Sequence, residues 1–140
     1  MPDHLTPTQR TRAMKRVKLK DGSLEKLVQR ELLSQGLKFR RHVRALPGSP
    51  DIVFPKEKLA VFVDGDFWHG WRFPVWKDKL SVKWEAKIAA TRARDQRNFR
   101  RLRRRGWIVV RIWEHEVHAS LAEAVSKVLA GLAQRGASRR

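Results

Sequence analysis

Apolar positions along this chain follow two rhythms, a helical one and short unbroken runs, and the two alternate. Leu24, Leu27, Val28 and Leu32 share one helical stripe, which predicts a helix over about 24–34, with Ser23 as its cap and Gly36 as its stop. Residues 38–43 read as a strand with its basic residues outward. Two apolar runs follow, Ile52 to Phe54 and Leu59 to Val63, separated by the turn Pro55-Lys-Glu-Lys, and predict a hairpin. A loop over 67–80 holds Trp68, Trp71 and Trp76. A long helix is predicted over 82–105, stopped by Gly106, then a buried strand over 107–113 and a closing helix over 121–132. The order helix, strands, helix, strand, helix gives an α/β fold, a small mixed central sheet flanked by helices. Residues 1–22 read as a basic N-terminal arm that orders on its partner, 23–133 as the one folded domain, and 134–140 as a loose basic tail.

Charge narrows the partner. Lys and Arg number 32 against 14 Asp and Glu, a net charge of +18. That imbalance favours nucleic acid, because each phosphate neutralised releases condensed counterions. An anionic membrane surface would call for an apolar anchor or a clean amphipathic basic helix, and neither is evident. No cysteine is present, which excludes disulfides, a thiolate nucleophile and the usual cysteine zinc sites. No run approaches the roughly 20 apolar residues of a membrane span, and the N-terminus has no apolar signal core, so a cytoplasmic protein is expected.

Candidate chemistry sits at the hairpin. Asp51 opens its first strand and Asp64 closes its second, so pairing brings both carboxylates to one end. Converging carboxylates in a strongly basic protein point to a magnesium site held against a polyanion. Each acid alone also fits a turn: Asp51 as a turn cap, Asp64-Gly65 as a turn dipeptide. Asp95 shares the inward face of the long helix with Ile88, Phe99 and Leu102. There it pairs with an arginine in a buried salt bridge, or it orients a catalytic histidine. Glu25, in a first helical turn, is accounted for by the helix dipole alone. His69 either packs in the tryptophan loop or takes a proton from an attacking water near pH 7.

Between Thr91 and Arg105 the chain carries arginine at 92, 94, 97, 100, 101, 103, 104 and 105 against the single acid Asp95. So one-signed a run favours phosphate contact over an ordinary solvated helix face. Phe67, Trp68, Trp71, Trp76 and Trp84 form either a satellite core under the loop or a set of wedges between base steps.

These residues resemble one family, the very-short-patch repair endonucleases, relatives of the PD-(D/E)xK nucleases that nick DNA beside a thymine–guanine mismatch. The likeness rests on Thr8-Gln-Arg-Thr-Arg-Ala-Met-Lys-Arg16, Glu25, Leu46-Pro-Gly-Ser-Pro-Asp51 and Val63-Asp-Gly-Asp-Phe-Trp-His69. It continues through Trp84-Glu-Ala-Lys-Ile88, Arg94-Asp-Gln-Arg-Asn98 and Gly106-Trp-Ile-Val-Val-Arg-Ile-Trp-Glu114, in consistent order over about 8–116. It implies a PD-(D/E)xK restriction-endonuclease-like fold and a Mg²⁺-dependent strand-nicking endonuclease with one or two ions. Asp51 and the main-chain carbonyl of Val63 would hold the metal, aided by Asp64. His69 would activate the attacking water, Asp95 would stand behind it, and Glu25 would support the metal and its waters. The product would carry a 5′-phosphate and a 3′-hydroxyl. Phe67, Trp68 and Trp84 match the aromatics that wedge into the duplex; Arg12, Lys15, Arg16, Arg94 and Arg97 would grip the backbone.

Two positions depart from the family. Asp64 stands where the mismatch-specific members resemble one another in having histidine, which leaves thymine–guanine specificity open. Asp66, Trp71, Phe73 and His115 occupy the region where members hold a structural zinc, so that zinc is not expected and packing of the tryptophan loop would replace it. The expected partner is double-stranded DNA, acted on by a monomer alongside mismatch-repair proteins, with no membrane role. Two other classes stay open at this point, a catalytically inactive DNA-binding module and an RNA-binding protein. The spaced acids speak against the second, since a pure binder gains nothing from carboxylates near phosphate.

Overall fold

The computed structural model describes residues 22–67, 69–71 and 81–138. In chain order these form α1 (22–34), β1 (Arg40–Arg41), β2 (Ile52–Phe54), β3 (Leu59–Asp64), α2 (Val82–Arg104), β4 (Ile108–Trp113), α3 (Glu114–Ala119) and α4 (Leu121–Ser138). The four strands make one sheet in the order β1-β2-β3-β4. The first two pairings are antiparallel and β3–β4 is parallel, as expected where a helix crosses between the paired strands. The mixed sheet with flanking helices is the α/β architecture that the alternating rhythms predict.

Alternation along β3 divides the core. Leu59, Val61 and Val63 face Leu24, Val28 and Leu32 of α1 and Val125 and Val128 of α4. Ala60 and Phe62 face Phe99 and Leu102 of α2. All six β3 residues are buried, which is why the strand reads as an unbroken apolar run and not as an alternating one. Each fully buried Leu or Val side chain of this kind contributes roughly 1.5–3 kcal/mol. α4 lies close on the sheet because Gly131 has no side chain: a Cβ there would drive into the Leu59 side chain.

Four local expectations are corrected. α1 already includes Gly22 and Ser23, so Ser23 lies inside the helix and does not cap it. The strand expected over 38–43 pairs only at Arg40–Arg41, whose exposed side chains leave little apolar surface to extend the edge. A short helix, α3, separates β4 from α4; Val117 is its one buried residue, too little to give a readable period. α4 continues past Leu132 to Ser138. Arg135 holds that extension, donating from Nε to the Glu57 carbonyl and from Nη2 to the Gly106 carbonyl, both at 2.6 Å. The stop of α2 is as expected, with Gly106 in the left-handed region at φ 86°. No described helix is long and apolar enough to cross a membrane.

Candidate active site

Asp51 is fixed by its backbone before its side chain is considered. Its N–H donates to the Val61 carbonyl at 3.0 Å, and its carbonyl accepts from His42 N–H at 3.1 Å. The side chain then accepts the Val63 N–H on Oδ2 at 2.7 Å, which turns the carboxylate toward the C-terminal end of β3. His42, just past β1, takes φ 48°, an unusual conformation that turns its ring back to the site. Its Nε2 lies 3.4 Å from Oε2 of Glu25 on α1. One ligand atom from each of Glu25, His42 and Asp51 falls within 4.8 Å of the others.

Two carboxyl groups and an imidazole so arranged form a donor set suited to a divalent cation. Burial pushes the Asp51 pKa up to about 8, and the neighbouring Glu25 adds to the rise, against the lowering effect of the Val63 N–H and His42.

Asp64, Asp95, His69 and Arg111 form a second cluster. Strand alternation places Asp64 and Arg111 on the α2 face, and the helical period turns Asp95 toward them. His69 Nδ1 lies 2.7 Å from Asp95 Oδ2. Arg111 donates from Nη2 to that same Asp95 oxygen and from Nε to Asp64 Oδ2, each at 2.8 Å. Asp64 Oδ1 faces His69 Nε2 at 3.4 Å, which closes a ring of four side chains. Burial pulls the His69 pKa down, but Asp95 and Asp64 overcome that pull and its pKa is raised. Burial raises Asp64 as well, while His69 and Arg111 pull the other way. His69 reaches the cluster because Gly70, at φ 71°, passes close to α2: a Cβ there would lie 2.5 Å from Arg92 Cδ and 3.0 Å from Ile88 Cγ2.

Glu25 and Asp51 of the first cluster and Asp64, His69 and Asp95 of the second line one cleft of about 420 Å³, together with Val63, Arg94 and Asn98. The predicted residues Glu25, Asp51, Val63, Asp64, His69 and Asp95 therefore share one cavity. Asp51 and Asp64 do come to the same end of the hairpin, but in separate clusters. Arg94 is exposed on the cleft, Arg97 is exposed on α2, and Phe67 is half-buried in the turn after β3. Trp84 is half-buried in the first turn of α2 with Lys87 Nζ 5.2 Å from its ring centroid. Arg12, Lys15, Arg16, Trp68 and Trp76 lie outside the described residues.

In the region where a structural zinc was not expected, Asp66 Oδ1 meets His115 Nδ1 at 2.8 Å and the Trp71 ring lies tilted against His115 at 3.9 Å between centroids. The Asp66 N–H donates to Glu114 Oε1 at 3.2 Å. Among the described residues, a polar clasp flanked by Trp71 and Trp113 thus joins the turn after β3 to α3; the rest of the tryptophan loop, where packing was expected to replace the zinc, lies outside the described residues.

Sequence reading missed His42 and Arg111. For Arg111 a signal exists, since it interrupts the strand run Ile-Val-Val-Arg-Ile-Trp at a position that alternation turns toward α2. His42 has none, because it acquires its place through a backbone conformation and not through a pattern.

The family model described as DNA mismatch endonuclease Vsr matches residues 2–74. Type II nicking enzyme V.XorIIP of Xanthomonas oryzae pv. oryzae is 43% identical over 120 residues, covering 84% of this chain and 88% of that protein. Type II nicking enzyme V.NmeDIP of Neisseria meningitidis serogroup C is 36% identical over 129 residues, 90% of this chain and 87% of its own. DNA mismatch endonuclease Vsr of Escherichia coli is 34% identical over 107 residues, 75% and 69% of the two chains. With likeness sustained over most of the length of these proteins, the chain belongs to the DNA mismatch endonuclease Vsr family and is a DNA endonuclease.

Proposed function

We propose that this endonuclease hydrolyses one strand of duplex DNA with Mg²⁺, at a thymine–guanine mismatch or another distorted or specific duplex site. The observation that carries this is the shared cleft, which has an acidic donor set on one wall and a carboxylate-bound histidine on the other. Asp51 would hold the ion with Glu25, His42 and the main chain at Val63; a bound ion there would polarise the scissile phosphate and stabilise the leaving oxygen. Asp64 is engaged on both oxygens, by Arg111 and His69, and so belongs to the second wall in this reading.

With Nδ1–H donated to Asp95, a neutral His69 presents the Nε2 lone pair and accepts a proton from the attacking water. The water oxygen bonds to phosphorus, and the bond from phosphorus to the 3′ oxygen breaks. That oxygen takes up a proton, leaving a 3′-hydroxyl and a 5′-phosphate. Asp95 and Asp64 then face the imidazolium on its two nitrogens. Arg94 at the cleft, Arg97, and Arg12, Lys15 and Arg16 of the N-terminal segment supply backbone contacts. Phe67, Trp68 and Trp84 supply apolar surface for entry into a distorted duplex. The nicking and mismatch activities in the relatives' names support single-strand cleavage and a mismatched substrate.

The test uses labelled duplexes, one with a thymine–guanine mismatch and one perfectly matched, with Mg²⁺ or with EDTA. Wild type should nick in Mg²⁺ only, and Asp51→Ala should bind the same duplex without cutting. Cleavage in EDTA would overturn the metal's role. Equal nicking of both duplexes would overturn mismatch selectivity and leave a sequence-specific nickase.

A further inference from the structure

We infer that Arg111 is a positioning residue: its guanidinium locks Asp95 and Asp64 together and thereby fixes the imidazole of His69 in the cleft. The inference rests on the reading of His69 as the group that takes the proton, and it adds a residue to which no role in the reaction has been given.

Three observations carry it. First, Arg111 spends different nitrogens on different acids, Nε on Asp64 and Nη2 on Asp95, so one rigid planar fork bridges the two carboxylates. Second, the Asp95 oxygen it holds is the one that holds His69 Nδ1, so the orientation of the imidazole depends directly on that of the guanidinium. Third, the guanidinium is itself clamped: the Trp113 ring centroid lies 4.0 Å from Cζ and that of Phe99 5.1 Å. A surface ion pair shows none of this. Asp64, Asp95 and Arg111 are all buried or nearly so, and β3, β4 and α2 each contribute one of them.

An arginine in this place also answers the charge problem of the cluster. Asp95 and Asp64 face the two imidazole nitrogens, and Arg111 gives both acids a permanent cation, so neither carboxylate depends on a protonated His69 for its charge partner. Lysine is a point charge and reaches one acid at a time.

The experiment compares wild type, Arg111→Lys, Arg111→Ala and His69→Ala in single-turnover cleavage and in DNA binding, with thermal melting to establish folding. Arg111→Ala should lose at least thirtyfold in the single-turnover rate at saturating enzyme while its Kd for DNA stays within threefold. Arg111→Lys should recover only a small part of that rate. Millimolar guanidinium should restore Arg111→Ala at least fivefold and leave wild type and His69→Ala unchanged, a response that a loss of stability does not give. If Arg111→Ala fails to melt cooperatively, Arg111→Lys with the same split between rate and Kd decides. A near-normal rate in a folded Arg111 variant, or a rate loss matched by an equal loss of binding, overturns the inference. If His69→Ala itself cleaves normally, the fault lies in the reading of His69 and not in that of Arg111.

Discussion

Asp51 is a single carboxyl group whose surroundings disfavour its charged form. Its pKa near 8, set first by burial and then by Glu25, means that a cation competes with a proton for the site. Below pH 8 the apparent affinity for a divalent ion should weaken by about tenfold for each pH unit, the slope of one displaced proton. Mn²⁺ titrations by calorimetry should therefore give at least tenfold weaker binding at pH 6.5 than at pH 8.5, with proton release at the lower pH. Equal affinities at the two values would mean that Asp51 is not the group displaced. The same shift affects the metal-free fold. A carboxyl whose pKa is raised on folding contributes stability that is complete below its unfolded value and is lost as pH rises through the folded one. Metal-free protein should thus melt at lower temperature at pH 8.5 than at pH 5 as far as Asp51 is concerned, and added Mn²⁺ should offset most of the loss at the higher pH.

At the level of elements, α4 approaches β3 closely at Gly131. Gly131→Ala gains helix propensity of about 1 kcal/mol but forces a methyl group into Leu59, which is fully buried and has nowhere to move. Overpacking of this kind costs about 1–3 kcal/mol, so the steric effect should win and urea unfolding should show a net destabilisation of up to about 2 kcal/mol. A variant as stable as wild type would show that α4 can ride outward without loss. The elements that were legible in the sequence are those whose burial leaves an apolar run or a helical period: α1, β2, β3, α2, β4 and the body of α4. Asp95 was legible on the same ground, as an acid on an apolar face. β1 was legible as a strand but not in its length, and α3 was not legible, because each buries little. The end of α4 was hidden for another reason: Arg135 secures it through carbonyls of Glu57 and Gly106, contacts that leave no hydrophobic pattern. His42 belongs with these, since its place beside Asp51 depends on a backbone turn.

Across the whole molecule, the overall field and the local site oppose one another. A chain of net charge +18 attracts DNA, yet its cleft is lined by Glu25, Asp51, Asp64 and Asp95, whose ionised forms repel the phosphate to be cut. The cation site answers part of that repulsion, and the rim must answer the rest. Arg94 lines the cleft on α2, and helical steps of seven and eleven residues put Arg101 and Arg105 on the same side, both exposed. If this stripe carries the duplex backbone past the site, each phosphate contact removed lowers the salt dependence of binding by about one unit of log–log slope. Replacing Arg94, Arg101 and Arg105 together by glutamine should therefore reduce the slope of log Kd against log salt by about 2 to 3. Cleavage by this variant should fall much further behind wild type at 200 mM salt than at 20 mM, while at saturating enzyme and low salt the single-turnover rates should stay within a few fold. An unchanged slope would place the backbone on another face of the molecule. A large loss of rate at saturation would mean that these arginines act on the reacting phosphate itself, and then the stripe belongs to the chemistry as well as to the grip.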